Sequence, residues 1–153
     1  MADHADDNND NGDIFIYRGG RAPQHVTHVR IDESVDEIED YAFKDCEDLL
    51  QVDTHDGIRK IGRGAFMGCT SLRRINLKSA VEIEKHAFYE CENLEYVEFG
   101  YNLETIGRDT FWNCSSLKHL KLPSVITIGG ASFYNCEHLT DIELSERLEK
   151  IEA

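Results

Sequence analysis

The amino-acid sequence predicts an α/β repeat solenoid, and two observations carry that prediction. Phe43, Phe66, Phe88, Phe111 and Phe133 recur at spacings of 23, 22, 23 and 22 residues. Each is followed by Cys three residues on (Cys46, Cys69, Cys91, Cys114, Cys136) and by Leu six residues on (Leu49, Leu72, Leu94, Leu117, Leu139). A fixed period with a fixed internal register marks stacked units, because the apolar residues of one such unit cannot bury one another and need the next copy.

The elements follow in chain order. Residues 1–13 carry Asp3, Asp6, Asp7, Asp10 and Asp13 between Asn8, Asn9 and Asn11, with no large apolar residue after Met1, and predict a disordered acidic tail. A calcium loop is the competing reading, since Asp7, Asn9, Asn11 and Gly12 fall at positions 1, 3, 5 and 6 of an EF-hand pattern. Its twelfth position would be Arg18, a cation where a bidentate Glu is needed. Residues 14–25 read as an N-terminal cap: Ile14-Phe15-Ile16-Tyr17 is apolar and β-prone, and Arg18 to Pro23 reads as a turn. The solenoid runs over 26–153. Val26, Val29, Ile31, Val35 and Ile38 form a half unit without Phe or Cys, five full units follow, and an incomplete sixth closes at Glu152-Ala153. The uncapped last coil predicts either a longer array or self-association through that edge.

Within a unit, Ala-Phe-x-x-Cys predicts a short helical turn, Leu-x-x-Val-x-Leu an extended segment, and a second short extended segment ends at Ile38, Ile61, Ile83, Ile106, Ile128 or Ile151. Ala42, Ala65, Ala87, Thr110 and Ser132 hold the slot before each Phe, which therefore admits only small side chains. Thr54 breaks the inward set that Leu77, Phe99, Leu122 and Leu144 fill. Stacking brings equivalent residues to about 4.7–4.9 Å, the spacing of neighbouring strands, so each slot becomes an inward or outward ladder.

These residues resemble the BspA-like, or Treponema-type, leucine-rich-repeat family, whose unit runs Ile-Gly-x-x-Ala-Phe-x-x-Cys-x-x-Leu-x-x-Val-x-Leu-Pro. The resemblance covers residues 26–151 and is clearest in Ile61-Gly62-Arg63-Gly64-Ala65-Phe66-Met67-Gly68-Cys69-Thr70-Ser71-Leu72 and in Leu117-Lys118-His119-Leu120-Lys121-Leu122-Pro123. It implies a right-handed leucine-rich-repeat coil with a parallel sheet on one face, and a surface or interaction role. The chain departs from the pattern where Glu39, Glu84 and Glu152 replace the Gly after Ile, and in holding the family's Pro only at Pro123.

Charge narrows the function classes. Acidic residues outnumber Lys and Arg by 30 to 16 and the net charge is −14, which disfavours nucleic acid and anionic membranes, both of which are bound through surplus cations. No apolar run approaches the roughly 20 residues that span a bilayer, and Met1-Ala2-Asp3-His4 opens no signal peptide, so the expected location is cytoplasmic.

No residue set predicts catalysis. The five cysteines share one repeat slot, form no CxxC pair and predict buried structural thiols, with soft-metal binding along the ladder as the alternative. The seven histidines form no ligand motif, and His86, His119 and His138 fall in three different slots, as scattered solvated side chains do. No cofactor is expected.

Two outward surfaces remain. The residue after each Phe reads Lys44, Met67, Tyr89, Trp112 and Tyr134; the last four predict an apolar and aromatic stripe roughly 15 Å long. Aromatic residues of this kind anchor interaction hot spots, although the same rings could simply shield the Phe ladder. On the extended segments, His28, Gln51, Arg74, Tyr96, His119 and Asp141 form one outward row, and Arg30, Asp53, Asn76, Glu98, Lys121 and Glu143 a second. The competing reading is a solvated face of weak ion pairs among Glu98, Lys121 and Glu143. The candidate partner-binding residues are Met67, Tyr89, Trp112, Tyr134, Arg74, Tyr96 and His119. The expected function is a non-catalytic protein-protein interaction module, for a protein partner whose identity the fold does not specify. The alternative is a structural or self-associating segment of a longer repeat protein.

Overall fold

The computed structural model describes residues 13–153, and the acidic tail and calcium-loop readings lie outside them but for Asp13 and Arg18. The chain winds through β1 (Phe15–Tyr17), β2 (His28–Ile31), β3 (Glu37–Ile38), β4 (Gln51–Asp53), β5 (Lys60–Ile61), β6 (Arg74–Leu77) and β7 (Glu82–Ile83). It continues through β8 (Tyr96–Phe99), β9 (Thr105–Ile106), β10 (His119–Leu122), β11 (Thr127–Ile128), β12 (Asp141–Leu144) and β13 (Lys150–Ile151). Every pairing is parallel, and all but β1–β2, where Phe15 pairs with Val29, advance by one repeat, as in Ile75↔Val97 and Leu120↔Ile142. The result is a parallel β-solenoid.

Alternation explains the longer strands. Val29 and Ile31, Ile75 and Leu77, Val97 and Phe99, and Leu120 and Leu122 point inward and are buried, while the residues between them face out. The two-residue strands build a six-stranded sheet in the order β13-β11-β9-β7-β5-β3, with a buried Ile in each but β13. The longer strands do not form one sheet. They divide into β1-β2-β4 and β6-β8-β10-β12, so the expectation of unbroken outward rows is corrected. The break falls where Thr54 replaces an inward apolar residue: β4 stops at Asp53, and the Thr54 hydroxyl turns to donate to the Asn76 carbonyl at 2.6 Å.

The expected helical turns are also corrected, since the described residues contain no helix. The residues two before and two after each Phe have positive φ: Tyr41 and Asp45, Gly64 and Gly68, His86 and Glu90, Asp109 and Asn113, Ala131 and Asn135. A left-handed residue every four positions prevents a right-handed helix from propagating. Backbone donors then alternate. Tyr41, Phe43 and Asp45 send their N–H groups to Arg63, Ala65 and Met67 of the next coil at 2.8, 2.7 and 2.8 Å, whereas Ala42, Lys44 and Cys46 bond back to Glu39, Tyr41 and Phe43. The same scheme repeats at Phe66, Phe88 and Phe111. A helix would keep those N–H groups within its own turn; here every second one ties two coils together.

Between the sheets and the turns runs the aromatic ladder. Tyr17 packs on Phe43 at 4.9 Å, and Phe43, Phe66, Phe88, Phe111 and Phe133 follow at centroid separations of 5.1, 5.2, 5.5 and 5.8 Å with planes within 11°. Tyr17 is fully buried, and its hydroxyl donates to Gly20 O at 3.1 Å and accepts from Glu39 N at 3.3 Å. Beside the rings, the thiols of Cys69, Cys91, Cys114 and Cys136 donate to the carbonyls of Phe43, Phe66, Phe88 and Phe111, one coil back, at 3.0–3.1 Å. Each Cys is thus a small apolar residue that also satisfies a buried acceptor. At the far end Ile142, Leu144 and Ile151 remain exposed, because no further coil covers them among the described residues.

Two predictions follow from this backbone and core. Ala131 has φ 53°, where its Cβ costs about 1–2 kcal/mol; relief of that strain outweighs the extra chain entropy of Gly, so Ala131→Gly raises stability by about 0.5–1 kcal/mol, read from the urea midpoint. Burial pushes the Cys46 and Cys136 thiols up to about 11 from the ordinary 9.0. The native state therefore holds protons that the unfolded chain releases: the stability these thiols contribute is intact below pH 9 and is lost as pH rises through 11, and Cys-to-Ala variants at both positions remove their share of that alkaline decline, Cys69, Cys91 and Cys114 keeping theirs.

Candidate functional site

The turn face carries the first surface. Each residue after a Phe lies between two turn residues, so its side chain is directed along the outside of the coil. Tyr89 and Trp112 stack at 5.9 Å and 15°, and Trp112 and Tyr134 at 4.1 Å and 21°. The rings cover one another's faces and present their edges, except at Tyr134, which is 58% exposed. Met67 occupies the same slot one coil earlier and is half-buried. Lys44 turns aside, with its ammonium 5.8 Å from the centre of the Tyr41 ring.

Two residues that sequence reasoning left among solvated side chains or did not single out flank this stripe. His86 lies edge-on to Tyr89 at 5.6 Å, and its Nε2 is 3.2 Å from Asp109 Oδ2. Asp109 is also 3.3 Å from Arg108 Nε. The available signal was positional: His86 and Asp109 both stand two residues before a Phe, in consecutive coils, so stacking had to bring them together.

The second surface lies on the sheet β6-β8-β10-β12. Arg74 faces Tyr96 and Tyr96 faces His119 across the ladder, and all three side chains are exposed. In the adjacent row Lys121 reaches Glu143 at 3.0 Å, but Glu98 pairs with Lys78 at 2.8 Å and not with Lys121. Across the break, His28 and Gln51 converge on Asp53 at 2.8 and 2.7 Å, with Arg30 at 3.6 Å. The Gln51 amide, followed by His28, holds the Asp53 carboxyl below its ordinary value. The earlier rows thus split into a neutralised Asp53 cluster and the Arg74-Tyr96-His119 row.

All five cysteines are free thiols, and burial raises their pKa values, which leaves them protonated at neutral pH. The described residues contain no group of three or more His, Cys, Asp or Glu placed to hold a metal. No helix among them is long and apolar enough to cross a membrane.

A family model described as the BspA type leucine rich repeat region matches residues 22–140 in six copies, a range that takes in the half unit lacking Phe and Cys. No curated protein matches the chain. Solved structures do. A leucine-rich-repeat protein of Treponema pallidum, TpLRR, is 27% identical with a TM-score of 0.68, over 91% of this chain and 76% of that one. A leucine-rich cell surface protein of Faecalibacterium prausnitzii is 31% identical with a TM-score of 0.75, over 82% of this chain but 34% of that one. A leucine-rich-repeat protein of Bacteroides ovatus is 25% identical with a TM-score of 0.67, over 91% of this chain and 47% of that one.

Proposed function

The chain belongs to the BspA-type leucine-rich-repeat family, and from that membership we propose that it is a non-catalytic protein-interaction module whose partner docks on the turn face. The observation that carries this reading is the stacked run of Tyr89, Trp112 and Tyr134. Stacking fixes the rings before a partner arrives, so little side-chain entropy remains to be lost on binding, and large aromatic side chains are the residues that dominate interface energies. The His86–Asp109 pair beside Tyr89 adds a polar edge to the same patch. No step of catalysis is assigned, because the polar groups of a repeat array stand in rows and do not converge on one reacting atom.

A second reading is favoured by the last coil. Ile142, Leu144 and Ile151 are 39%, 48% and 63% exposed, and the Faecalibacterium and Bacteroides proteins extend well beyond the part this chain matches. Those features support a self-associating or structural segment of a longer array. The cell-surface description of the Faecalibacterium protein supports an exported location for such an array, in place of the cytoplasmic expectation.

Pull-down from the source organism's lysate with the wild-type chain and with the Tyr89→Ala/Trp112→Ala double variant tests the turn face. The partner recovered by the wild type is expected to fall at least about tenfold in the variant, as loss of a hot spot of roughly 2 kcal/mol or more requires; equal recovery would dismiss the stripe. For the second reading, light scattering is expected to show mass rising with concentration and Ile142→Lys abolishing the rise. A wild-type chain that stays monomeric at every concentration would rule out self-association through the last coil.

A further inference from the structure

In a chain of net charge −14, the strands β6, β8, β10 and β12 with their flanking residues escape the acidic excess, holding five Lys and Arg against the four carboxylates Glu95, Glu98, Asp141 and Glu143. Arg73, Arg74, Lys78, Lys118 and Lys121 stand on or beside β6 and β10, and all five are exposed. They meet three carboxylates: Glu95 serves both Arg73 at 3.9 Å and Lys118 at 3.0 Å, Glu98 takes Lys78, and Glu143 takes Lys121. Among the described residues Arg74 enters no ion pair, as Arg21, Arg59, Arg63 and Arg147 also do not, whereas its neighbour Arg73 reaches Glu95 and Arg74 acts on that carboxylate only from beyond contact distance. It is the free guanidinium of a row in which Tyr96 and His119 follow in register.

We propose that the Arg74-Tyr96-His119 row docks an extended acidic segment of a partner protein, a strand or loop bearing Asp or Glu that lies across β6, β8 and β10. The proposal rests on the interaction-module reading and gives the module a second surface with its own partner chemistry. A planar guanidinium with no internal partner accepts a carboxylate through two parallel hydrogen bonds, which is the strongest polar contact this face offers. Tyr96, 38% exposed, lies one strand on and packs the apolar stem between two acidic side chains. His119, with Lys118 before it and Lys121 after it, then meets the second carboxylate. Asp141 Oδ2 stands 3.9 Å from His119 Nδ1 and bounds the row on that side.

The size of the patch selects a peptide over a nucleic acid. Three strands span about 10 Å, whereas duplex DNA carries a phosphate charge about every 1.7 Å and continues beyond the row. Past that row it would meet Asp141 and Glu143 on one side and Asp53 on the other. At physiological salt charges are screened over about 8 Å, so a short acidic segment interacts with the local cations, while a long polyanion interacts with the acidic surroundings as well.

The test is a titration of the uniformly 15N-labelled chain with a capped hexaglutamate peptide, at low and at physiological salt. Amide shifts are expected to concentrate at residues 73–76, 95–98 and 118–121. Arg74→Glu is expected to weaken binding at least about tenfold, the equivalent of one charge-assisted hydrogen bond, with an unchanged thermal midpoint because the side chain is exposed. Arg74→Lys keeps the charge but loses the fork, and is expected to weaken binding by less than Arg74→Glu. Shifts spread evenly over the solenoid, or an Arg74→Glu affinity within about twofold of wild type, would overturn the proposal. So would tighter binding of a six-nucleotide oligothymidylate, which would assign the row to nucleic acid. Trp112→Ala is expected to leave the hexaglutamate titration unchanged, so failure of this surface and failure of the turn-face stripe are read separately.

Discussion

Coil-to-coil stacking is the constraint on which everything else in this molecule depends. A single 22- or 23-residue unit has one Phe, one Cys and a few branched residues, and nothing of its own to bury them against. The repeated Phe rings stack on their equivalents at 5.1 to 5.8 Å, and the buried thiols donate one coil back. Backbone bonds obey the same rule on the turn face, where alternate N–H groups cross to the next coil. Stability in such an array resides in interfaces between neighbours more than in any unit. The exposed apolar residues of the last coil are the direct consequence, since that coil has a neighbour on one side only among the described residues.

Stacking also dictates how surfaces are built. An outward side chain is always accompanied by the occupants of its slot in the coils before and after, about one strand spacing away. Surface chemistry therefore comes as rows, and a row means something only when its members differ from a solvated average. The Tyr89-Trp112-Tyr134 row differs by being aromatic and self-stacked, and the Arg74 row by leaving a guanidinium without a carboxylate. The Asp53 cluster shows the opposite outcome, with a carboxylate satisfied by Gln51, His28 and Arg30 and little left to offer a partner.

The spacing of Phe, Cys and Leu was enough to read the core, the parallel register and the occupants of each outward row, because those properties depend only on which residues share a slot. The helical turn could not be dismissed from the same pattern. Ala-Phe-x-x-Cys has good helix spacing, and the left-handed positions that prevent a helix are glycines in one coil alone, Gly64 and Gly68; elsewhere Asp, Asn and His at five of them alternate with Tyr41, Glu90 and Ala131, which announce no such conformation. Thr54 marked a defect but not its size, since whether one polar residue dents a sheet or divides it depends on where the backbone donors go. The Lys78–Glu98 pair was missed because Lys78 follows its strand and reaches the row from outside it.

The left-handed positions bear on function as well as on fold. Glycine would fit them with the least strain, and a non-glycine side chain there costs about 1–2 kcal/mol. Asp and Asn, which tolerate the conformation best, hold Asp45, Asp109, Asn113 and Asn135, so four of the eight non-glycine sites have a local physical explanation. His86 is also of a type enriched in this conformation, and its ring in addition meets Tyr89 edge-on while its Nε2 reaches Asp109. A left-handed residue packed against the aromatic stripe is the backbone counterpart of the stripe itself: both hold side chains in fixed positions on the turn face, where a glycine at each site would leave a coil without those contacts.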